Sequence, residues 1–139
     1  MILVSACLAG CNCKYNGKNS VIPEIERLVE EGKAIIVCPE VLGGLPTPRD
    51  PCEIQEIDGR QVVMSKTGED VTEAFVKGAQ KTLELAKEIN PSLIILKANS
   101  PSCGFGKIYD GTFTGTLKEG NGFTAELLQK NAYNIKFII

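Results

Sequence analysis

Three short apolar runs constrain this chain most: Ile2-Leu3-Val4-Ser5-Ala6, Ala34-Ile35-Ile36-Val37 and Ser92-Leu93-Ile94-Ile95-Leu96-Lys97-Ala98. Each is too brief for a stable helix, and none alternates apolar with polar residues as a strand with one wet face would. Such runs are strands covered on both faces. The segments between them read as helices. Pro23 suits a first helical position, Ile25, Leu28 and Val29 then recur at helical spacing, and Gly32 suits the end. Asp70 with Glu73 has the form of a capping box. Phe75, Ala79, Leu83, Ala86 and Ile89 supply an inward stripe that Asn90-Pro91 ends. A last helix is predicted from about Thr124 to Lys130, and a closing strand over Ile135 to Ile139.

Strands alternating with helices join through right-handed crossovers into a parallel sheet. The predicted fold is therefore α/β, a small three-layer Rossmann-like domain with a mostly parallel sheet. Ile54 to Ser65 reads as a β-hairpin insertion around Asp58-Gly59. Val41 to Pro51, with two glycines and three prolines, reads as an irregular loop. At 139 residues the chain is expected to form one domain, residues 1–139.

Composition narrows the chemistry. The chain has six cysteines and no histidine. That excludes Ser-His-Asp and Cys-His catalysis, imidazole acid–base steps and the histidine ligands of most catalytic zinc sites. A net charge of -2 gives no electrostatic footprint for nucleic acid. No run approaches the ~18 apolar residues of a membrane span, so no membrane partner is expected. The opening Met-Ile-Leu-Val lacks the basic region of a secretory signal. A cytoplasmic protein follows, with cysteines as free thiols or metal ligands rather than disulfides. No readable apolar patch specifies an oligomeric state.

Parallel strands end along one edge of the sheet, where ligand sites of open α/β folds lie. Cys7 follows the first strand, Cys38 ends the second, and Cys103 sits in the loop after the third. Three convergent thiolates suit a soft metal, chiefly an iron–sulfur cluster or zinc. Structural zinc favours four ligands and Cys-x-x-Cys pairs, which this chain lacks. Three dispersed cysteines could hold three irons of a four-iron cluster and leave the fourth open as a Lewis acid. A single cysteine in a strand is more often a small apolar core residue, although three along one edge weaken that reading. Cys11, Cys13 and Cys52 carry no assignment.

Glu40 stands past the second strand, placed to act as a general acid or base or simply as a solvated loop carboxylate. Ser100 and Ser102 flank Pro101, where hydroxyls orient ligands or form turns. Arg49 and Lys97 could hold an anionic group or be solvated charges. Ser102-Cys103-Gly104-Phe105-Gly106-Lys107 fails as a phosphate loop, because Pro101 and Ile108 stand where glycine and a hydroxyl are needed.

Four blocks in order carry a resemblance over nearly the whole chain. They are Ser5-Ala6-Cys7-Leu8-Ala9-Gly10 with Cys13-Lys14-Tyr15-Asn16-Gly17, then Cys38 through Arg49, then Gly68-Glu69-Asp70-Val71-Thr72, then Lys97 through Gly104 with Ile108-Tyr109-Asp110-Gly111. The chain resembles the thiouracil desulfidase family, once catalogued as a bacterial domain of unknown function. The resemblance implies an oxygen-sensitive [4Fe-4S] cluster on three cysteines, matching Cys7, Cys38 and Cys103, with one open iron for the substrate's sulfur. It implies non-redox desulfuration of a small thiolated pyrimidine, with Glu40 as acid–base group and Ser100 beside it. Lys14 and Asn16 depart from the Arg-Tyr-Asp-Gly of many relatives, and Cys52 from a common alanine. Two other readings remain open: a non-catalytic iron–sulfur or metal-binding protein, and a plain thiol enzyme with Cys38 or Cys103 as nucleophile.

Overall fold

The computed structural model describes residues 1–138. Four strands form one parallel sheet in the order β2-β1-β5-β8, with β1 Ile2–Ser5, β2 Ala34–Val37, β5 Leu93–Lys97 and β8 Ile135–Ile138. These are the expected apolar runs and closing strand; Ile139, placed in that strand by sequence, lies outside the described residues. The order runs outward from β1 to β2 and then returns to β5 on the other side. The β1–β5 boundary is thus the switch point where the two connections diverge and leave a crevice.

Helices cover both faces. On one, α1 (Pro23–Glu30) packs Ile25 against Val4, Cys7, Leu8, Ala34 and Ile95. On the other, α3 (Thr72–Ile89) and α4 (Phe123–Lys130) pack Ala86, Ala125 and Leu128 against Leu3, Val37, Ile94 and Leu96. The expected three layers form, with β1 and β5 covered on both faces. The Ala34–Val37 run is not fully covered: β2 lies at the edge of the sheet, where Ile36 remains 39% exposed. The hairpin β3–β4, Cys52–Ile57 and Arg60–Ser65, pairs Ile57 with Arg60 across Asp58-Gly59 as expected. It adds a satellite core of Ile54, Val63, Phe75 and Ile108.

Several elements differ from the sequence reading. The start of the predicted Val41–Pro51 loop belongs to a one-turn helix, α2 (Pro39–Leu42). A second small hairpin, β6 (Lys107–Tyr109) with β7 (Leu117–Glu119), has strands too short to show a period. The capping box is not formed: Val71 is the N-cap of α3. Asp70 is held by an antiparallel bridge to Met64, so the helix begins two residues after it. Its Oδ1 instead accepts from Thr72 N–H at 2.9 Å and Thr72 Oγ1 at 2.6 Å. The buried stripe of α3 runs through Phe75, Gly78, Ala79, Thr82 and Ala86, with Leu83 and Ile89 only partly covered.

Gly78 explains why so short a helix as α2 is stable where it is. A Cβ at Gly78 would lie 2.0 Å from the Pro39 carbonyl oxygen, and one at Gly43 would lie 2.0 Å from that of Ala74. Two glycines let the α2 and α3 backbones touch, and that contact sets the position of Cys38-Pro39-Glu40. Gly78→Ala gains up to about 1 kcal/mol of helix propensity. Overpacking against backbone costs about 1–3 kcal/mol. The variant is expected to unfold at lower urea concentration than wild type, whereas Lys77→Ala, on the exposed face, stays within about 0.5 kcal/mol.

Candidate active site

One cavity of about 440 Å³ opens at the carboxyl edge of the sheet, and its wall includes Cys7, Cys38 and Cys103. Each thiol is placed by a different device. Cys7 sits in the 3-10 turn Ala6–Ala9 after β1, closed by Gly10 in a left-handed conformation. Its carbonyl accepts the Ser20 N–H at 3.0 Å, which folds the cysteine loop back over the strand end. Cys38 is the N-cap of α2, its carbonyl accepting from Leu42 at 3.0 Å. Cys103 donates its N–H to Ser100 Oγ at 2.8 Å. The carbonyls of Pro101 and Ser102 accept from Phe123 and Thr124, satisfying N–H groups at the start of α4. Gly122 permits that approach, since a Cβ there would stand 2.5 Å from the Ser102 carbonyl.

Burial pushes the Cys103 thiol up to about 12, against the hydrogen bond it receives from Ser5 Oγ at 3.4 Å; Ser102 Oγ lies 3.8 Å from the same sulfur. Burial and the neighbouring Cys38 raise Cys7, with Lys97 and Lys14 acting the other way. Cys38 goes down, chiefly because the Cys13 thiol donates to its sulfur, and Cys13 goes up as the partner that keeps the proton. Cys13 and Cys52 also line the cavity. Burial, then the Glu40 charge, pushes Cys52 up to about 11. Cys11 is outside the lining.

Glu40 enters the cavity from α2, with both carboxylate oxygens engaged. Oε1 accepts from Arg49 Nε at 3.1 Å and lies 3.0 Å from Nη2; Oε2 accepts the Ser102 hydroxyl at 2.7 Å. The Arg49 and Glu40 side chains are 6% and 15% exposed, so this is a nearly buried pair. The same guanidinium donates to the carbonyls of Cys13 at 2.9 Å and Pro46 at 3.1 Å and to Thr47 Oγ1 at 3.0 Å. Arg49 thereby ties the cysteine loop, the proline loop and the carboxylate into one wall. Its pairing explains why it is not free to hold an anion.

The cavity brings together the cluster and acid–base candidates Cys7, Cys38, Cys103, Glu40 and Ser100, and its lining also includes Ser102, Arg49 and Lys97. Ser100, however, is spent on the Cys103 amide and stands 3.3 Å from Ser102 Oγ; the hydroxyl touching Glu40 is that of Ser102. Sequence spacing does not distinguish the two, because both flank Pro101. Tyr15, Tyr109 and Phe113 also line the cavity and carried no role in the sequence reading. Tyr109 lies inside a recognisable block, but Phe113 comes from a loop with no readable pattern.

Arg49→Met should destabilise the fold by about 3 kcal/mol, the scale of leaving a buried charge without its partner. Adding Glu40→Gln should recover a large part of that loss. Chemical denaturation of both single variants and the double variant tests this coupling.

Residues 2–137 match the 2-thiouracil desulfurase family. A Bacillus subtilis (strain 168) protein, the uncharacterized protein YbbK, is 50% identical over 141 residues, covering 97% of this chain and 93% of its own length. The solved structure of the [4Fe-4S]-dependent thiouracil desulfidase TudS superposes with a TM-score of 0.87 at 41% identity, over 98% of this chain and 89% of that one.

Proposed function

Because the chain belongs to the 2-thiouracil desulfurase family, we propose that it is a desulfidase that replaces the sulfur of a thiolated pyrimidine with oxygen. The observation that carries the reading is the single cavity in which three thiols from three strand ends face a carboxylate held by arginine and serine. The substrate is a small thiouracil-like base. The carboxylate supplies the acid–base group that desulfuration needs and that storing or sensing a cluster does not require.

The donor set fits an iron–sulfur cluster better than a single ion. Among the described residues no three Cys, Asp or Glu side chains converge closely enough to hold one metal. A tetrahedral ion needs its sulfurs about 2.3 Å from one centre, whereas a cluster spreads its ligands over several irons. The hydroxyl of Ser5, which donates to Cys103 Sγ at 3.4 Å, is the kind of donor that tunes cluster sulfurs. Cys7, Cys38 and Cys103 would hold a [4Fe-4S] cluster through three irons, leaving one iron without a protein ligand. When bound, the cluster supplies a soft Lewis acid with affinity for a thiocarbonyl sulfur.

The chain's own residues handle water and protons. Glu40 Oε2 accepts a proton from the attacking water, while Arg49 keeps Oε1 engaged and the carboxylate plane fixed. Ser102, donating to Oε2 at 2.7 Å, orients that oxygen. Ser100 holds the Cys103 loop through the Cys103 amide, and its hydroxyl reaches Ser102. The water oxygen bonds to the ring carbon, the carbon–sulfur bond breaks, and sulfur leaves with the water's two protons as hydrogen sulfide. No atom changes oxidation state.

The test is anaerobic reconstitution with iron and sulfide, followed by sulfide release from 4-thiouracil and 2-thiouracil. Wild type is expected to take up about one cluster per chain and release sulfide. Cys7→Ala/Cys38→Ala/Cys103→Ala should hold no cluster; full cluster assembly in that variant would refute the ligand set. Glu40→Gln should retain the cluster while kcat falls roughly 100-fold or more, the usual scale for losing an acid–base group. A loaded wild type releasing no sulfide from any thiopyrimidine would rule out the substrate class.

A further inference from the structure

Desulfuration leaves one nearly buried carboxylate without a chemical task. Glu53 on β3 is 8% exposed and lines the same cavity as Glu40. Its Oε1 accepts two backbone N–H groups, from Gly111 at 2.9 Å and from Phe113 at 3.1 Å. Gln55, two residues further along β3, donates Nε2–H to the Gly111 carbonyl at 2.8 Å. The loop between β6 and β7 is therefore clamped to the larger hairpin at two points. It is also ordered from within. Asp110 accepts from Thr112 N–H at 3.0 Å and Thr112 Oγ1 at 2.6 Å, and the Asp110 N–H reaches the Thr116 carbonyl at 2.9 Å.

Phe113 is held by this clamp at a φ of 58°, a conformation that bulky residues rarely adopt. Such backbone persists only where the surroundings over-determine it, and it gathers at ligand clamps. The consequence of the strain is the placement of a ring. Phe113 lines the cavity together with Tyr109 and Tyr15, and the two tyrosines are 36% and 44% exposed. Phe113 itself is half-buried. Phe75 is core, and Phe105 packs against Phe137 with ring centroids 6.2 Å apart. Among the described residues no such ring partner meets Phe113.

We propose that Phe113, held over the cavity by Glu53, is a substrate-recognition residue whose ring gives a planar six-membered heterocycle its stacking face. Glu53 is a positioning residue that acts through the loop. This rests on the desulfidase reading for the identity of the heterocycle. Stacking recognises the ring and tolerates different exocyclic groups, so it serves both the thiolated substrate and its oxo product.

The experiment measures uracil binding to the reconstituted holoprotein by calorimetry, alongside KM and kcat for 4-thiouracil. Phe113→Ala should weaken uracil binding and raise KM by roughly tenfold, within the range that base–aromatic stacking spans. Phe113→Tyr, which keeps a π-face, should stay near wild type. Glu53→Ala should reproduce the loss seen in Phe113→Ala. Glu53→Gln keeps the accepting oxygen and should recover most of it, an outcome that separates loop positioning from a need for the carboxylate charge. Iron content should be equal throughout. Uracil affinity and KM unchanged in Phe113→Ala would overturn the proposal, as would a fall in iron content in that variant or a Glu53→Gln variant as weak as Glu53→Ala. A wild type that binds no uracil would overturn it too. A wild type that binds uracil but releases no sulfide would defeat the desulfidase reading alone, leaving Phe113 to be judged by the uracil titrations.

Discussion

Parallel pairing of β1 with β5 brings Ser5 beside Lys97 and, past the end of β5, beside Cys103. The Ser5 hydroxyl accepts the Lys97 amide at 3.0 Å and donates to Cys103 Sγ at 3.4 Å. One small polar side chain at the end of a buried strand thus joins the sheet ladder to the site. The rest of the site depends on the same geometry, because strands that all point one way end at one edge. The cavity lies along that edge, where the β1→β2 and β5→β8 connections part.

Around this frame the site is a set of short segments, each immobilised by contacts to another. The Cys7 loop is folded back through its own carbonyl, the Cys38 turn is docked by two glycines, and the Cys103 turn caps α4. Arg49 joins the first two of these and orients Glu40. Ser102 joins the third. Such mutual anchoring suits a site that needs several groups at fixed separations, since loops left free would pay ordering entropy on every binding event.

The two hairpins extend the same logic outward. Glu53 on the larger one organises the loop of the smaller one, and that loop closes one side of the cavity. A carboxylate in that place is structural in form and functional in consequence. It differs from Glu40 in what it meets: Glu53 meets backbone amides, whereas Glu40 meets a guanidinium and a hydroxyl. Two glutamates thirteen residues apart on one cavity wall therefore have separate tasks.

Much of this was legible in the sequence. Apolar runs without alternation specify buried parallel strands, parallel strands specify a common edge, and the positions of Cys7, Cys38 and Cys103 relative to those runs place three thiols there. Those are local patterns, and local patterns survive without knowledge of the partners. Helix α2, the β6–β7 hairpin and the start of α3 were not legible: four-residue and three-residue elements have no measurable period, and α2 owes its stability to a backbone contact with a glycine 38 residues beyond Cys-Pro-Glu's glutamate. The pairing of Glu40 with Arg49, the choice of Ser102 over Ser100 as its hydroxyl partner, and the strained Phe113 over the cavity were decided only by the tertiary structure. Each depends on the direction of a side chain across a gap between segments, and spacing along a chain carries no information about that direction.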